Sequence, residues 1–284
     1  MNIEHVLVIG AGQMGSGIAE TLLSSGYTVT LYDIYEAAIE RGAAAIRRGL
    51  TRAVAKGRMT EEEQEAALLR LTCQSSLETA AEQTNLVIEA APESLSVKQQ
   101  LFRTLDASCA AGVILATNTS SLSITELASA TKRPDKVIGM HFMNPVPLMP
   151  LVEIIRGLST SDDTFEGIVM VAKSLGKTPL AVRDLPGFVS NRVLMPMINE
   201  AVYAVYEGVA SPETVDSIMR LGMNHPMGPL ALADLIGLDT CLSIMESLHT
   251  GFCDSKYRPC PLLRQYVKAG WLGKKSGRGF YVYE

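Results

Sequence analysis

A chain of 284 residues with 47% hydrophobic content is long enough for two ordinary domains, each burying its own core. A net charge of -5 and a pI near 5.5 give no bulk attraction to polyanions, which argues against nucleic-acid or membrane-surface binding; an anionic ligand has to be met by a local basic patch. No uncharged apolar run reaches the roughly 18 residues of a membrane span.

The opening MNIEHVLVIGAG runs at once into a strand and a glycine turn, which leaves no room for a signal peptide and predicts a cytoplasmic protein. The five cysteines, Cys73, Cys109, Cys241, Cys253 and Cys260, are odd in number and form no CxxC pair, as expected of reduced thiols rather than a disulfide framework or a zinc site. Strands are predicted at 5–9, 28–32, 71–74, 86–89, 113–117, 137–141, 151–155 and 178–182, separated by helical patterns in the manner of consecutive βαβ units. Runs such as LVIEA and VILAT are apolar without alternation, as parallel strands covered on both faces require. The fold class that follows is α/β, a Rossmann-like doubly wound sheet.

The first strand leads into GAGQMGSG, which puts Gly10, Gly12 and Gly15 in GxGxxG spacing ahead of an apolar-periodic helix. Gly10 allows the tight turn, Gly12 lets backbone approach a pyrophosphate, and Gly15 permits close helix-to-strand packing. The helix N-terminus offers free N–H groups to the phosphates, so Ala11, Gln13 and Met14 join the glycines as cofactor-binding candidates. Asp33 closes the second strand, where an acid accepts hydrogen bonds from adenosine ribose hydroxyls and repels a 2′-phosphate; it selects NAD over NADP. The bland alternative is a turn that merely joins strand to helix.

After the second strand comes a long helical stretch from about Ala37, interrupted near Gly57 to Thr60, where Thr60 and Glu63 form a capping box for a second helix. This predicts a helical pair inserted into the sheet and projecting from it. Arg48, Arg52 and Lys56 recur every four residues there, forming a basic stripe that is either a solvated face or an anion-binding arm.

Further on, ATNTSSLSITEL ends a strand in Asn118, Thr119, Ser120 and Ser121, hydroxyls that could cap a helix starting near Ser123 or polarise a carbonyl. His141 ends the next strand, and Glu153 lies on the one after it. Carboxyl ends of strands are where doubly wound sheets bind ligands, and a glutamate beside a histidine fixes its tautomer and stabilises its cation. A structural hydrogen bond is the competing explanation. His5, His225 and His249 have no metal-ligand companions, so no metal is expected.

At RDLPGF the texture changes to an all-α C-terminal domain, which sets the domain bounds at 1–184 and 185–284. A helix over 187–207 carries too much apolar surface for one stripe, among it Val193, Met195, Ile198, Val202 and Tyr206, and a partner subunit is the natural cover; a homodimer is predicted. Met195, Met197, Met219 and Met245 read as core or interface filler.

Taken in order, GAGQMGSGIA, ATNTSSLSIT, GMHFMNPVPLMPLVEII, DLPGFVSNRVL, HPMGPLALADLIGLD and GKKSGRGFYVY resemble 3-hydroxyacyl-CoA dehydrogenases of the 3-hydroxybutyryl-CoA type over essentially the whole chain. The resemblance implies hydride exchange between (S)-3-hydroxyacyl-CoA and NAD, with His141 as general base, Glu153 holding it, and Ser120 and Asn191 binding substrate oxygens. It further implies that Glu93, Lys98, Asn118, Ser120, Asn144 and Lys275 contact or surround the cofactor, that the helical domain closes over the site, and that Arg48, Arg52 and Lys56 meet the phosphates of CoA. Two alternatives stand beside it: a related dehydrogenase of another hydroxy acid, and an NAD-binding protein without turnover.

Overall fold

The computed structural model describes residues 3–283; the first two residues of the opening segment, and Glu284 at the far bound of the C-terminal domain, lie outside them. The chain forms two compact units that part between Asp184 and Leu185.

The first unit runs β1 (His5–Ile9), α1 (Gln13–Ser24), β2 (Thr28–Tyr32), α2 (Glu36–Ala55), α3 (Glu61–Leu69), β3 (Leu71–Gln74), α4 (Leu77–Ala81), β4 (Leu86–Glu89), α5 (Leu95–Ser108), β5 (Ile114–Thr117), α6 (Ile124–Ala128), β6 (Val137–Phe142), β7 (Leu151–Arg156), α7 (Asp162–Ser174) and β8 (Thr178–Arg183). The strands make one eight-stranded sheet in the order β3-β2-β1-β4-β5-β6-β7-β8. Strand order reverses between β1 and β4, which opens the crevice at their carboxyl ends where such sheets bind ligands. The four residues of β4 and of β5 are all buried, as their unalternating sequence requires.

One pairing departs from the parallel sheet expected: β7 runs antiparallel to β6, with His141 opposite Glu153 in the register. The cause is the short β6 to β7 connection, which lacks a helix to carry the chain back to the sheet's other end. β8, parallel to β7, is the edge strand and accommodates Pro179 there.

The helical pair forms with its predicted capping box: Thr60 Oγ1 accepts from the Glu63 amide at 3.2 Å, and the Thr60 amide donates to Glu63 Oε2 at 2.9 Å. It does not simply project, however. Ile46 and Leu50 of α2 and Ala67 of α3 join Leu22 and Leu23 of α1 in the main core, so one face of the pair is built into the unit. At Gly42 a Cβ would come within 2.8 Å of the Ala11 carbonyl oxygen, and glycine permits this close approach.

The second unit contains α8 (Ser190–Tyr206), α9 (Pro212–Gly222), α10 (Pro229–Ile236), α11 (Leu238–Phe252) and α12 (Pro261–Lys268). Helix α8 starts three residues later than expected because Gly187 and Phe188 both hold positive φ, +73° and +51°, which cannot continue into a right-handed helix. Met195, Ile198 and Val202 of α8 pack with Leu230, Leu238, Met245, Leu248 and Leu263 as the unit's core. Two buried aspartates tie the ends of the unit together. Asp216 accepts from the Leu230 and Ala231 amides at 2.8 and 2.9 Å and from the Tyr281 hydroxyl at 2.8 Å. Asp234 accepts from the Phe280 and Tyr281 amides and the Tyr283 hydroxyl, each at 3.0 Å. Burial and these carboxylates raise both tyrosines above their ordinary range.

All five cysteines are free, and burial pushes Cys109 up to about 11 and Cys241 up to about 12, which leaves both as inert thiols.

Candidate active site

The glycine turn is built for close approach. Gly10 has φ +94°, and a Cβ there would meet the Ala90 carbonyl oxygen of the β4 end at 2.5 Å. A Cβ at Gly15 would lie 1.7 Å from the Gly10 oxygen, so helix α1 can pack on β1 only with glycine at that position. Gly12, by contrast, has nothing within 4 Å of an added Cβ, and as N-cap it brings no side chain to the first amides of the twelve-residue α1. Open space above bare amides at a helix N-terminus suits a pyrophosphate. Asp33 Oδ2 accepts from the Ala11 amide at 2.9 Å and Oδ1 from the Tyr35 amide at 3.1 Å, which fixes the acid beside the turn. Gln13 donates from Nε2 to Asn144 Oδ1 at 3.1 Å, and Met14 packs partly buried against the core. These residues fit a dinucleotide.

A second group gathers at the ends of β4 and β5. Glu93 Oε1 accepts from Thr119 Oγ1 at 2.6 Å, from the amides of Ser120 and Ser121 at 2.9 and 3.0 Å, and from their hydroxyls at 3.2 and 3.1 Å. Burial opposes its ionisation, but the Lys98 ammonium and these hydrogen bonds prevail and hold the carboxyl below the usual glutamate range. Lys98 is itself buried, 3.6 Å from Glu93 and 2.6 Å from Glu89. Asn118 binds the strands together: its amide donates to the Glu89 carbonyl at 2.7 Å, and its side-chain oxygen accepts from the Phe142 amide at 2.8 Å, one residue past His141. The cap of α6 comes from Ser123, whose hydroxyl accepts from the Glu126 amide, and not from the Asn118 to Ser121 cluster. Asp184, where the first unit ends, accepts from the Ser123 hydroxyl and the Ile124 and Thr125 amides.

His141 and Glu153 are both buried, and His141 Nδ1 lies 2.8 Å from Glu153 Oε2. Directly opposed residues of an antiparallel ladder share a face of the sheet, so the pairing register alone brings the two side chains together.

The remaining candidates lie in the second unit and on or beside helix α2. Asn191 sits buried in the first turn of α8, and Lys275 pairs with Asp239 at 2.6 Å; both belong to the second unit. Arg48, Arg52 and Lys56 are exposed, the first two on α2 and Lys56 as the residue capping its C-terminus. Burial pushes the nearby Glu20 carboxyl above its ordinary value, and the Arg52 and Arg58 guanidinium groups partly offset this. Sequence reasoning missed Glu89 and Thr117, both fully buried. The signal was present in LVIEA, where an acid ends an otherwise apolar buried strand.

The family described as 3-hydroxyacyl-CoA dehydrogenase, NAD binding domain, matches residues 5–185, and that family's C-terminal domain matches residues 187–283. The chain is 60% identical to a probable 3-hydroxybutyryl-CoA dehydrogenase of Bacillus subtilis, over 100% of this chain and 99% of that one. It is 53% identical to the 3-hydroxybutyryl-CoA dehydrogenase of Bradyrhizobium diazoefficiens, over 99% and 96% of the two chains. Among solved structures, the (S)-3-hydroxybutyryl-CoA dehydrogenase of Ralstonia eutropha superposes with a TM-score of 0.97 at 50% identity, each chain covered completely.

Proposed function

The chain belongs to the 3-hydroxyacyl-CoA dehydrogenase family and is an NAD-dependent oxidoreductase of 3-hydroxyacyl-CoA; on that premise we propose that its substrate pair is (S)-3-hydroxybutyryl-CoA and acetoacetyl-CoA, with His141 as the general acid and base. The observation that carries this reading is the buried His141–Glu153 pair at the carboxyl end of β6.

NAD, when bound, supplies the acceptor for the hydride that leaves C3. His141 takes the proton of the C3 hydroxyl in the same step. With Nδ1 held by Glu153, that exchange falls to Nε2, and the Glu153 carboxylate stabilises the imidazolium that forms. In the reverse direction the imidazolium returns its proton to the C3 oxygen of the 3-oxoacyl group. Ser120 and Asn191 bind the substrate oxygens. The turn residues Gly10 to Gly15, Asp33, Glu93, Lys98, Asn118, Asn144 and Lys275 hold the cofactor. Arg48, Arg52 and Lys56 meet the CoA phosphates. The test is loss of NADH absorbance on adding acetoacetyl-CoA, compared with longer 3-oxoacyl-CoAs and CoA-free 3-oxo acids; equal turnover of a CoA-free acid would overturn the substrate assignment.

The same reading makes the protein a cytoplasmic homodimer joined through the helical unit. Val193, Val209, Ile218, Leu221 and Met223 are large apolar side chains between 56% and 86% exposed, all in that unit. An obligate interface of this kind buries on the order of 2,000 Å² or more. Light scattering at dilute concentration is expected to give twice the chain mass, and a fully active monomer would refute it. Free thiols suit a reducing compartment, and among the described residues no helix is long and apolar enough to cross a membrane.

A further inference from the structure

Five residues between β4 and the serine loop close a ring. Glu89 Oε1 accepts from Lys98 Nζ at 2.6 Å, and Lys98 Nζ stands 3.6 Å from Glu93 Oε2. Glu93 Oε1 accepts from Thr119 Oγ1 at 2.6 Å, the Thr119 amide donates to Thr117 Oγ1 at 3.2 Å, and Thr117 Oγ1 donates to Glu89 Oε2 at 2.6 Å. Glu89, Thr117 and Thr119 are fully buried, and Lys98 is 1% exposed. Glu89 also accepts the Ala91 amide at 2.6 Å, in the segment that lies against Gly10 of the glycine turn. One oxygen of Glu89 therefore serves the cofactor side of the crevice, and the other serves the strand that leads into Ser120.

We propose that Glu89 is a positioning residue for this dehydrogenase: through Lys98 it sets the cofactor contacts, and through Thr117 and Thr119 it sets the loop that carries Ser120. It acts through those residues and touches neither substrate nor cofactor itself. The inference rests on the roles given above to Lys98 and Ser120. Two physical facts support it. Glu89 is a fully buried carboxylate held by three hydrogen bonds, one of them from the Lys98 ammonium, and its loss leaves buried donors without an acceptor. Removing the Glu89 charge takes from buried Lys98 its nearer carboxylate, at 2.6 Å, and leaves only Glu93 at 3.6 Å, so Lys98 is drawn toward Glu93 when Glu89 is neutralised. Misplacement of a catalytic array by about 1 Å costs on the order of 100-fold in rate.

The full-length enzyme and its variants are compared by two measurements: NADH dissociation constant from nicotinamide fluorescence, and kcat and KM for acetoacetyl-CoA. Glu89→Gln is expected to weaken NADH about tenfold and to lower kcat about 10- to 100-fold. Thr117→Val cuts the second arm alone; NADH affinity should stay within about twofold while kcat/KM for acetoacetyl-CoA falls about tenfold. This split is what a general loss of folding would not produce, because it would move both readouts together. Glu89→Gln added to Lys98→Met should weaken NADH no further than Lys98→Met does alone. Should Glu89→Gln not yield folded protein by circular dichroism, that charge-free double variant and Thr117→Val carry the test. Wild-type behaviour of the Glu89 variant, additive losses with Lys98→Met, or parallel changes in both readouts of Thr117→Val would each overturn the proposal. A wild-type protein that binds NADH but leaves acetoacetyl-CoA untouched would overturn the substrate assignment instead, and the fluorescence arm would still decide the role of Glu89.

Discussion

Both units bury carboxylates, yet the company these acids keep differs. In the first unit Glu153 meets an imidazole, and Glu89 and Glu93 share an ammonium. In the second, Asp216 and Asp234 meet backbone amides and tyrosine hydroxyls, groups that keep their protons throughout the physiological range. Burial of an acid is thus no sign of chemistry by itself. An acid beside an imidazole can support proton transfer, whereas an acid facing amides fastens one segment of chain to another.

The strongest way to break this contrast is at the dyad. His141→Gln should lower kcat by about 10²- to 10⁴-fold, with NADH affinity nearly intact because the glycine turn and Asp33 hold the cofactor. Glu153→Gln should also impair turnover, and the double variant should lose less than the sum, as two residues acting as one unit do. Additive losses in NADH turnover with acetoacetyl-CoA would mean the pair is not coupled.

In the second unit the outcome should be of another kind. Asp234→Asn replaces an acceptor of three hydrogen bonds with a group that presents an amide donor, and charged hydrogen bonds contribute about 1.5–3 kcal/mol each. A destabilisation of about 2–4 kcal/mol in urea unfolding is expected, with kcat per folded molecule far less affected than in the His141 variant. A loss of kcat comparable to that of His141→Gln, without a stability change, would erase the distinction between the two regions.

Smaller effects sharpen the picture on the cofactor side. Asp33→Ser removes a carboxylate that would face a 2′-phosphate, so the preference for NADH over NADPH should narrow by about tenfold in kcat/KM. An enzyme whose wild type already favours NADPH would contradict the role of this acid.

The smallest effect is an acid-side one at Glu93. Its carboxyl titrates below the ordinary value in the folded protein, so its contribution to stability is complete above about pH 4.3 and disappears as pH falls through the lower folded value. The difference in urea midpoint between wild type and Glu93→Gln should be flat from neutrality down to about pH 5 and should close in stronger acid. A gap that persisted or widened there would show that the ionised carboxylate is not what holds the serine loop.

Much of this was legible in the chain because it obeys local rules. Strand positions followed from apolar runs, and the Thr60–Glu63 cap from two residues three apart. The His141–Glu153 contact was foreseeable as a pairing of neighbouring strands, although the antiparallel direction of β7 was not. Local rules failed where backbone conformation or distant partners decided the outcome. Phe188 gives no hint of positive φ in its sequence, so the start of α8 was placed too early. The Glu89 ring joins residues up to 30 positions apart on three segments, and each looks ordinary alone: an acid after a strand, a lysine in a helix, two threonines in a polar run. The projecting arm was overstated because the apolar face of α2 meets α1, a tertiary contact that a charge stripe on the opposite face does not reveal.

The antiparallel turn-back between β6 and β7 also bears on how this protein can change over time. His141 and Glu153 are separated by a loop, residues 143–150, yet their alignment is set by the ladder on either side of it. The loop itself is anchored, because Val146 is buried in the main core and Lys177 Nζ donates to the Val146 and Met149 carbonyls at 2.6 and 2.9 Å, while a slip of one position in the ladder would turn Glu153 to the other face of the sheet. Change beside the dyad is therefore confined to substitutions that leave both the ladder register and these loop anchors in place.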